Sequence, residues 1–237
     1  MENPVDKVDN CRASQTLPVH GPVLGVFAKQ PLPGRVKTRL TPPLSPAAAC
    51  GLYGVALRES VTRFAMGPAA VVLCWAGRRS WFSRGYPGVP LLSQGRGDLG
   101  ARLTRVTAAL FAAGGGPVAV AGSDSPDLPL PLLDEAFAAL AAADVSAIPC
   151  TDGGYALLAL RRPAPGLFSD IPWSTAGVLA ATQERATALG LRFATVGKWD
   201  DVDDLPSLQR LLERSPECAT ARYAQVHLHS HLASTGG

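Results

Sequence analysis

The stretch VAVAGSDSPDLP, residues Val118 to Pro129, decides how the rest of the chain is interpreted. A short apolar run stops at Gly122, an acidic loop follows, and prolines then open a helical pattern. In an open α/β sheet, ligands lie beyond the carboxyl ends of the strands, so we expect Asp124 to face a ligand. A carboxylate there is suited to a divalent cation bridged to phosphate oxygens. Alternatively, Asp124 and Ser125 only start a turn or cap the next helix. Asp127 is interpreted as part of the start of that helix in either case.

Apolar runs and helical spacing alternate along the chain, which predicts an α/β fold. Strands are predicted at Val23–Ala28, Ala69–Trp75, Val89–Leu92, Pro117–Gly122, Val145–Pro149, Tyr155–Leu160 and Leu191–Val196. Helices are predicted to begin at Pro46, Leu99, Pro131, Ser174 and Leu205. This alternation favours a mainly parallel sheet with helices on both faces. Because only residues 152–154 separate two strands, we expect an antiparallel excursion and therefore a mixed sheet in a single domain.

Length and composition limit the class of protein. With 237 residues, 47% of them hydrophobic, the chain has enough apolar surface for one large domain. We predict a flexible leader over residues 1–20, the domain over 21–214 and a polar tail over 215–237. Neither a membrane span nor a signal peptide is expected, because the sequence has no apolar run of ~20 residues and no apolar segment near its start.

Charge and cysteine usage narrow the class further. The net charge of +3 is too small to indicate nucleic-acid binding. The five cysteines are widely spaced without a C-x-x-C motif, which predicts a reducing, cytoplasmic setting. The four histidines all lie outside the predicted core, at His20, His227, His229 and His231. A metal in the domain would therefore have oxygen ligands, which favours Mg²⁺ or Mn²⁺ over zinc.

A basic loop directly follows the first predicted strand. Four cations and a glycine fall within eleven residues, at Lys29, Gly34, Arg35, Lys37 and Arg39. Loop amides together with Lys and Arg suit a diphosphate or triphosphate. The alternative is a solvated basic loop, but such clusters at strand ends usually face the ligand crevice.

A glycine-rich loop precedes the predicted helix at Leu99. Its pattern G-x-G-x-x-G, residues 95–100, matches a dinucleotide fingerprint formally, but it follows a weak strand in the middle of the domain. We interpret Gly97, Asp98 and Gly100 instead as a loop that approaches the base or ribose of a nucleotide.

Carboxylates gather in loops rather than in helices. Four Asp stand within residues 200–204, and like charges at that spacing repel unless a cation offsets them. Asp124 with Asp201 or Asp203 would form a clamp on one or two Mg²⁺ ions.

A further group surrounds the two strands that flank residues 152–154. Paired glycines at Gly153 and Gly154 permit close backbone approach to a ligand. Trp173 would stack on a sugar or pack as a hydrophobic staple, and Ser174 or Thr175 is at least a helix cap.

Together, these motifs resemble a bacterial family classed from sequence as glycosyltransferases, within the nucleotide-diphospho-sugar transferase superfamily of GT-A-type fold. The family is distantly related to the 2-phospho-L-lactate guanylyltransferases. The matching segments are FAK at 27–29, PGRVKTRL at 33–40, GDLG at 97–100, GSD at 122–124, DGGY at 152–155, PWST at 172–175 and DVD at 201–203.

The resemblance implies a role for each motif. Lys29, Arg35, Lys37 and Arg39 would hold nucleotide phosphates, and Asp98 with the adjacent glycines would lie against the nucleoside. Asp124 would bind the metal, with Asp203 as a second ligand. The acceptor pocket would be formed by Asp152, Gly153, Gly154, Tyr155, Trp173 and Ser174, with Asp152 as the candidate that positions or deprotonates the acceptor.

Three functions remain open at this point. The leading one is a Mg²⁺- or Mn²⁺-dependent glycosyltransferase that uses a nucleotide sugar and a small-molecule acceptor, with Asp124, Lys37 and Asp152 as catalytic candidates. A nucleotidyltransferase that joins an NTP to a phosphorylated acceptor and releases pyrophosphate would need the same residues. A non-catalytic nucleotide-binding protein is the third, because Ala156 replaces a second aromatic residue that the family often has after Tyr155.

Overall fold

The computed structural model describes residues 21–228, so the predicted leader and the end of the predicted tail lie outside the described residues. The strands are β1 Gly21–Lys29, β2 Ala70–Ala76, β3 Leu91–Ser93, β4 Gly115–Ala121, β5 Val145–Pro149, β6 Tyr155–Leu160 and β7 Phe193–Thr195. The helices are α1 Pro46–Phe64, α2 Arg79–Gly85, α3 Leu99–Gly114, α4 Leu130–Ala138, α5 Val178–Ala188, α6 Leu205–Arg214 and α7 Ala219–His227. Short 3₁₀ helices span Thr38–Leu40 and Ala139–Ala141.

The strands form one sheet in the order β3-β2-β1-β4-β6-β5-β7. All neighbours are parallel except the two pairs that include β6. Strand β6 turns back immediately after β5 because the Cys150 amide donates to the Gly154 carbonyl at 3.0 Å and closes a tight turn. The prediction of a single α/β domain with a mixed sheet is confirmed.

Helices cover both faces of the sheet, as the strand alternation requires. On one face, Leu57 of α1 and Leu133 of α4 pack on Leu24 and Val26 of β1 in one buried cluster. On the other face, Leu110 of α3 and Ala186 of α5 belong to a second cluster that includes β4 and β6. The sheet is therefore buried between two helical layers, and ligands have access only at its edges.

A third cluster joins the C-terminal helices to α1. Leu208 and Leu211 of α6 and the small residues Ala221 and Ala224 of α7 are fully buried in it. The carboxylate of Glu59 accepts hydrogen bonds from the backbone amides of Ala219 and Thr220, each at 2.8 Å, and so satisfies the start of α7. Helix α7 lies within the predicted polar tail and was not predicted.

Asp127 has a structural role different from the predicted one. Pro129 stands at the N-cap of α4, and the buried carboxylate of Asp127 pairs with the Arg214 guanidinium at 2.7 and 2.9 Å. The Ser215 hydroxyl at 2.7 Å and the Trp199 indole at 3.2 Å donate to the same carboxylate. Burial opposes ionisation of this carboxylate, but these donors outweigh that effect and lower its pKa. The interpretation of Asp127 as a helix start was wrong.

The start of α5 also differs from the sequence prediction. Ser174 adopts the left-handed region with φ 65° and is not a helix cap, and α5 begins four residues later at Val178. None of the helices within residues 21–228 is both long enough and apolar enough to cross a bilayer.

Candidate functional site

The candidate site lies at the carboxyl edge of the sheet, between β1 and β4. From β1 the sheet grows in one direction through β2 and β3 and in the other through β4, which makes this edge a topological switch point. A cavity of about 570 Å³ opens there. Of the predicted site residues, it is lined by Lys29, Arg35, Lys37, Gly97, Asp98, Asp124, Tyr155, Trp173, Ser174, Asp201 and Asp203.

Lys37 lies at the centre of the charged half of this cavity. Its ammonium forms ion pairs with both Asp124 and Asp203, the latter at 3.0 Å. The Lys37 side chain is only 4% exposed, whereas those of Asp124 and Asp203 are 35% and 39% exposed. Burial alone would lower the pKa of Lys37, but the two carboxylates outweigh it and raise that pKa, so the ammonium stays charged.

The backbone brings Asp124 and Asp203 together across a long sequence separation. The amide of Val202 donates to the carbonyl of Asp124 at 2.8 Å, which fixes the 201–203 segment beside the end of β4. Just before it, Trp199 pairs with Cys150 at the end of β5. The segment therefore lies across the sheet edge, as the prediction of a two-sided carboxylate clamp requires.

The four Asp of residues 200–204 divide into two pairs with different roles. Asp200 binds Arg210 at 2.9 Å and Arg214 at 3.3 Å, and Asp204 caps α6 through the Ser207 amide at 2.9 Å. Asp201 and Asp203 instead line the cavity. Asp200 and Asp204 stabilise the fold, so only Asp201 and Asp203 remain available for a ligand.

Asp201 is a partly buried carboxylate of the cavity wall. Burial and the nearby charge of Asp124 raise the pKa of Asp201 to about 7, although a hydrogen bond from the Ser125 hydroxyl opposes that shift. Asp203 also repels negative charge on Asp201. A cation bound at Asp124 and Asp203 would relieve this repulsion.

A tyrosine hydroxyl joins the ends of β1 and β4. The Tyr53 hydroxyl, on α1, accepts a hydrogen bond from the Lys29 backbone amide at 3.0 Å. It forms a second hydrogen bond of 3.0 Å with the Ser123 hydroxyl. Burial and the Asp124 charge raise the pKa of Tyr53 to about 12, so its hydroxyl keeps its proton. Tyr53 thus positions the backbone on both sides of the charged cluster.

The glycine-rich loop forms another wall. The side-chain amide of Gln94 donates to the Ala28 carbonyl at 3.1 Å and to the Cys74 carbonyl at 2.7 Å, which anchors the loop to the ends of β1 and β2. The Asp98 carboxylate accepts from the Ala101 amide at 2.8 Å at the start of α3. The Arg102 guanidinium, also in the cavity wall, donates to the Gly97 carbonyl at 2.9 Å.

The remaining wall is largely apolar. Tyr155 begins β6, and Trp173 packs on the cluster beneath the sheet. A Cβ atom at Gly100 would lie 3.0 Å from the indole nitrogen of Trp173 and 2.5 Å from the Phe168 carbonyl, so only glycine fits there. Gly100 therefore shapes this wall from behind, although it does not line the cavity.

Several predicted site residues lie away from the cavity wall. Asp152 is exposed, and its carboxylate accepts from the Gly154 amide at 2.9 Å within the β5–β6 turn. Gly153 has φ 88°, and a Cβ there would lie 2.0 Å from the Ala176 carbonyl oxygen. The close approach predicted for a ligand is thus made by the protein's own backbone. The predicted site residues outside the cavity wall are Gly34, Arg39, Gly100, Asp152, Gly153 and Gly154.

The donor set fits a hard divalent cation. Within residues 21–228 no three carboxylate, imidazole or thiol groups are close enough to hold a metal by themselves. Mg²⁺, however, is commonly held by one or two carboxylates together with substrate phosphates. Asp124 and Asp203 already share one cation, the ammonium of Lys37, which shows that their oxygens face a common point.

The main residues that the sequence did not indicate are Tyr53 and Gln94. Tyr53 falls in the apolar stripe of α1, so the sequence pattern indicates a core residue. Only its hydroxyl group suggests a polar contact. Gln94 gives no periodic signal, because its role depends on carbonyls of two other strands.

Comparisons with known proteins agree with this architecture. The family described as "Uncharacterized protein conserved in bacteria (DUF2064)" matches residues 45–175, more than half of the chain. The match includes Asp98, Asp124 and Tyr155 but not Lys37 or Asp203. No curated protein matches the sequence.

Solved structures show the same fold. A candidate nucleotide-diphospho-sugar transferase from Desulfovibrio desulfuricans G20 is 27% identical with a TM-score of 0.83, over 91% of this chain and 98% of that one. The CMP:2-keto-3-deoxy-manno-octonic acid synthetase in complex with CTP is 14% identical with a TM-score of 0.55, over 87% and 99%. Rv0371c of Mycobacterium tuberculosis H37Rv, in complex with manganese, is 17% identical with a TM-score of 0.50, over 82% and 99%. The resemblance to the nucleotide-diphospho-sugar transferase superfamily is confirmed.

Proposed function

The chain belongs to the DUF2064 family of bacterial proteins, and from this premise and the geometry of its cavity we propose that it is a metal-dependent transferase acting on an activated nucleotide. The observation that carries the proposal is the charged cluster at the sheet edge, where Asp124 and Asp203 converge on one cation. Lys29, Arg35 and Arg102 line the same cavity and add positive charge for phosphates. This combination of carboxylates and cations suits a metal-bound diphosphate.

Within this class we propose glycosyl transfer from a nucleotide sugar. The likeness to the Desulfovibrio protein, described as a candidate nucleotide-diphospho-sugar transferase, supports this choice because it extends over nearly the whole of both chains. The apolar wall at Tyr155 and Trp173 supports it too, since aromatic rings offer an apolar face to a sugar.

Each half of the cavity would contribute to one part of the reaction. The acceptor hydroxyl would attack the anomeric carbon and give up its proton to water. The bond from that carbon to the diphosphate oxygen would break, and the diphosphate would leave with the bonding electrons. Mg²⁺ or Mn²⁺ at Asp124 and Asp203 supplies charge neutralisation of that leaving group when bound. Lys29 and Arg35 would hold its oxygens, and Gly97 and Asp98 would lie against the nucleoside.

Two predicted site residues, Asp152 and Arg39, lie outside the cavity wall. Asp152 would meet only an acceptor that extends beyond the cavity to the exposed β5–β6 turn. Arg39, also outside the cavity wall, lies near Asp204, whose pKa it helps to lower after the larger effect of Ser207.

The reaction products distinguish glycosyl transfer from nucleotidyl transfer. We expect incubation with nucleotide sugars and Mn²⁺ to release free nucleoside diphosphate, and incubation with NTPs and phosphorylated acceptors to release no pyrophosphate. Asp124→Asn should abolish the release. Release of pyrophosphate without nucleoside diphosphate would show that the reaction is nucleotidyl transfer and not glycosyl transfer. Nucleotidyl transfer needs the same carboxylates and cations.

Nucleotide binding can be measured independently of turnover. A ligand at 100 times its Kd stabilises a protein by about 2.7 kcal/mol, which thermal denaturation with Mn²⁺ and UDP, GDP or CDP would detect. If the wild type binds a nucleotide but transfers no group from any donor, the chain is a non-catalytic nucleotide-binding protein. If no nucleotide raises the melting temperature, the proposed function is wrong.

A further inference from the structure

The position that a divalent cation would take in the cavity is already held by a side chain of the protein. Lys37 Nζ lies 3.0 Å from Asp203 Oδ1 and forms an ion pair with Asp124 Oδ1. Both carboxylates are more than a third exposed, whereas the ammonium between them is almost fully buried. The ammonium is thus enclosed on the side of the protein, and the carboxylates remain open to the cavity.

The backbone holds Lys37 in this arrangement. Lys37 has φ 47° and ψ 42°, a left-handed conformation that is uncommon for a residue with a side chain. The Leu40 amide donates to the Lys37 carbonyl at 3.0 Å, and the short 3₁₀ helix Thr38–Leu40 follows. Because Leu40 is fully buried in the C-terminal cluster, the base of the lysine is anchored. The flexible stem of the lysine above this base can still change its direction.

A metal ion and this ammonium compete for the same oxygens. Two cations a few ångströms apart repel strongly, and two carboxylates offer too little charge to offset both at close range. Phosphate oxygens, however, are strong acceptors for a lysine ammonium. A ligand that carries both the metal and phosphate groups would supply the metal and, at the same time, a new partner for Lys37.

From this geometry we propose that Lys37 acts as a built-in cation that keeps free metal out of the site, so that metal enters with the nucleotide while the nucleotide's phosphate draws Lys37 away from Asp124 and Asp203. The site would therefore bind a preformed metal complex of a nucleoside diphosphate or triphosphate. It would not bind the metal first and the nucleotide afterwards. The inference rests on the proposed function, since it assumes that nucleotide and metal share this cavity.

The test measures Mn²⁺ binding to the full chain, by the loss of the free Mn²⁺ signal in electron paramagnetic resonance, without any turnover. The wild type should bind Mn²⁺ alone weakly, and GDP, UDP or CDP should strengthen Mn²⁺ binding about tenfold or more. Lys37→Met should bind Mn²⁺ alone at least about tenfold more tightly than the wild type, which corresponds to ~1.4 kcal/mol. The strengthening of Mn²⁺ binding by nucleotide should shrink in the same variant, because coupling between two ligands is reciprocal.

Two controls separate this effect from general changes in charge. Lys29→Met removes a cation from the same cavity without removing a partner of Asp124 or Asp203, and it should leave the affinity for Mn²⁺ alone nearly unchanged. The double variant Lys37→Met with Asp124→Asn should lose the tight binding of Mn²⁺ alone. Near-ultraviolet circular dichroism of each variant shows whether its packing is intact.

The possible outcomes are distinct. If the wild type binds Mn²⁺ alone as tightly as Lys37→Met does, Lys37 does not exclude metal and the inference is overturned, while the proposed function stands. If Lys29→Met tightens Mn²⁺ binding as much as Lys37→Met, the effect is general electrostatics and the inference is again overturned. If no variant binds Mn²⁺ even with nucleotide, both the inference and the metal dependence of the proposed function fail.

Discussion

Asp127 and Arg214 form a buried ion pair close to the site but outside its cavity. The Asp127 side chain is 1% exposed; Ser215 and Trp199 also donate to it, and the Trp199 ring lies against Arg214. Removing one partner of such a pair leaves the other charge buried without compensation. The pair is therefore a structural support whose loss would act on stability.

We expect Asp127→Asn to lower the free energy of unfolding by about 3 kcal/mol. Glu217→Gln is the matched control, because Glu217 pairs with Arg222 at 2.6 Å on the surface, where both side chains are more than 60% exposed. An exposed pair of this kind contributes roughly 0–1 kcal/mol. Urea unfolding of both variants measures the difference, and equal effects would contradict the assignment.

The hydroxyl of Tyr53 offers a test of positioning at the site. Tyr53→Phe removes the bridge between the Lys29 amide and the Ser123 hydroxyl and should cost about 1 kcal/mol of stability. We also expect a several-fold loss in kcat, because Lys29 and Asp124 flank that bridge. Tyr86→Phe, which alters a buried tyrosine outside the cavity, should leave kcat near the wild-type value. An unchanged kcat in Tyr53→Phe would show that the bridge only supports the fold.

Residue types indicated the site better than they indicated the contacts within it. Asp124, Asp203 and Lys37 were predicted as ligand-facing residues, and all three line one cavity. Their mutual ion pairs could not be predicted, because Lys37 and Asp203 are 166 positions apart and meet only through the sheet topology. Asp127 was misinterpreted for the same reason, since its partner Arg214 belongs to a helix at the other end of the chain.

The β5–β6 turn is an element held by backbone packing against the segment before α5. Gly153 has a positive φ of 88°, its carbonyl accepts from the Leu179 amide at 2.9 Å, and its Cα faces the Ala176 carbonyl. The turn thereby supports the segment that contains Trp173.

We expect Gly153→Ala to destabilise the protein by about 2 kcal/mol or more, through backbone strain and the clash with Ala176. Gly154→Ala is the matched control, because Gly154 has no positive φ and its added methyl would meet only the flexible Asp152 side chain at 3.2 Å. Thermal denaturation of the two variants decides the point. Similar melting temperatures would mean that the turn adjusts to the extra methyl group.

All seven strands and the helices with an apolar stripe were predicted, whereas the short helix α2 and the alanine-rich helix α7 were not. Helices α1 and α3 repeat apolar residues over four or more turns, and β5 and β6 have the predicted bounds. Helix α2 has only seven residues, and the buried face of α7 consists of Thr220, Ala221 and Ala224, which give no apolar stripe. The start of α7 depends on Glu59 of α1, a partner that local sequence does not reveal.

For the whole molecule, acid stability depends on carboxylates that tie distant strands together. Asp144 lies before β5 and accepts from the Arg192 amide at 3.0 Å, just before β7, while its other oxygen pairs with Arg161 after β6. The Arg192 amide, more than any other group, lowers the pKa of Asp144 to about 2.

A folded-state pKa below the unfolded value stabilises the protein at neutral pH, and this contribution is lost as the pH falls from about 4 toward 2. We therefore expect the urea midpoint of the wild type to fall across this range. Asp144→Asn should be less stable at pH 6 and should show a smaller fall between pH 4 and pH 2. A variant that loses stability in parallel with the wild type would show that Asp144 does not contribute to the acid transition.

The hydrogen bond from the Val202 amide to the Asp124 carbonyl bears on the order in which the protein matures on the ribosome. Strands β1, β2, β3 and β4, which form one side of the sheet, have all been synthesised by Ala121, because synthesis runs from the N-terminus. Asp203 is made some eighty residues later. A nascent chain would thus contain Lys37 and Asp124 well before Asp203, and the proposed metal–nucleotide site would be complete only after residue 203 has left the exit tunnel.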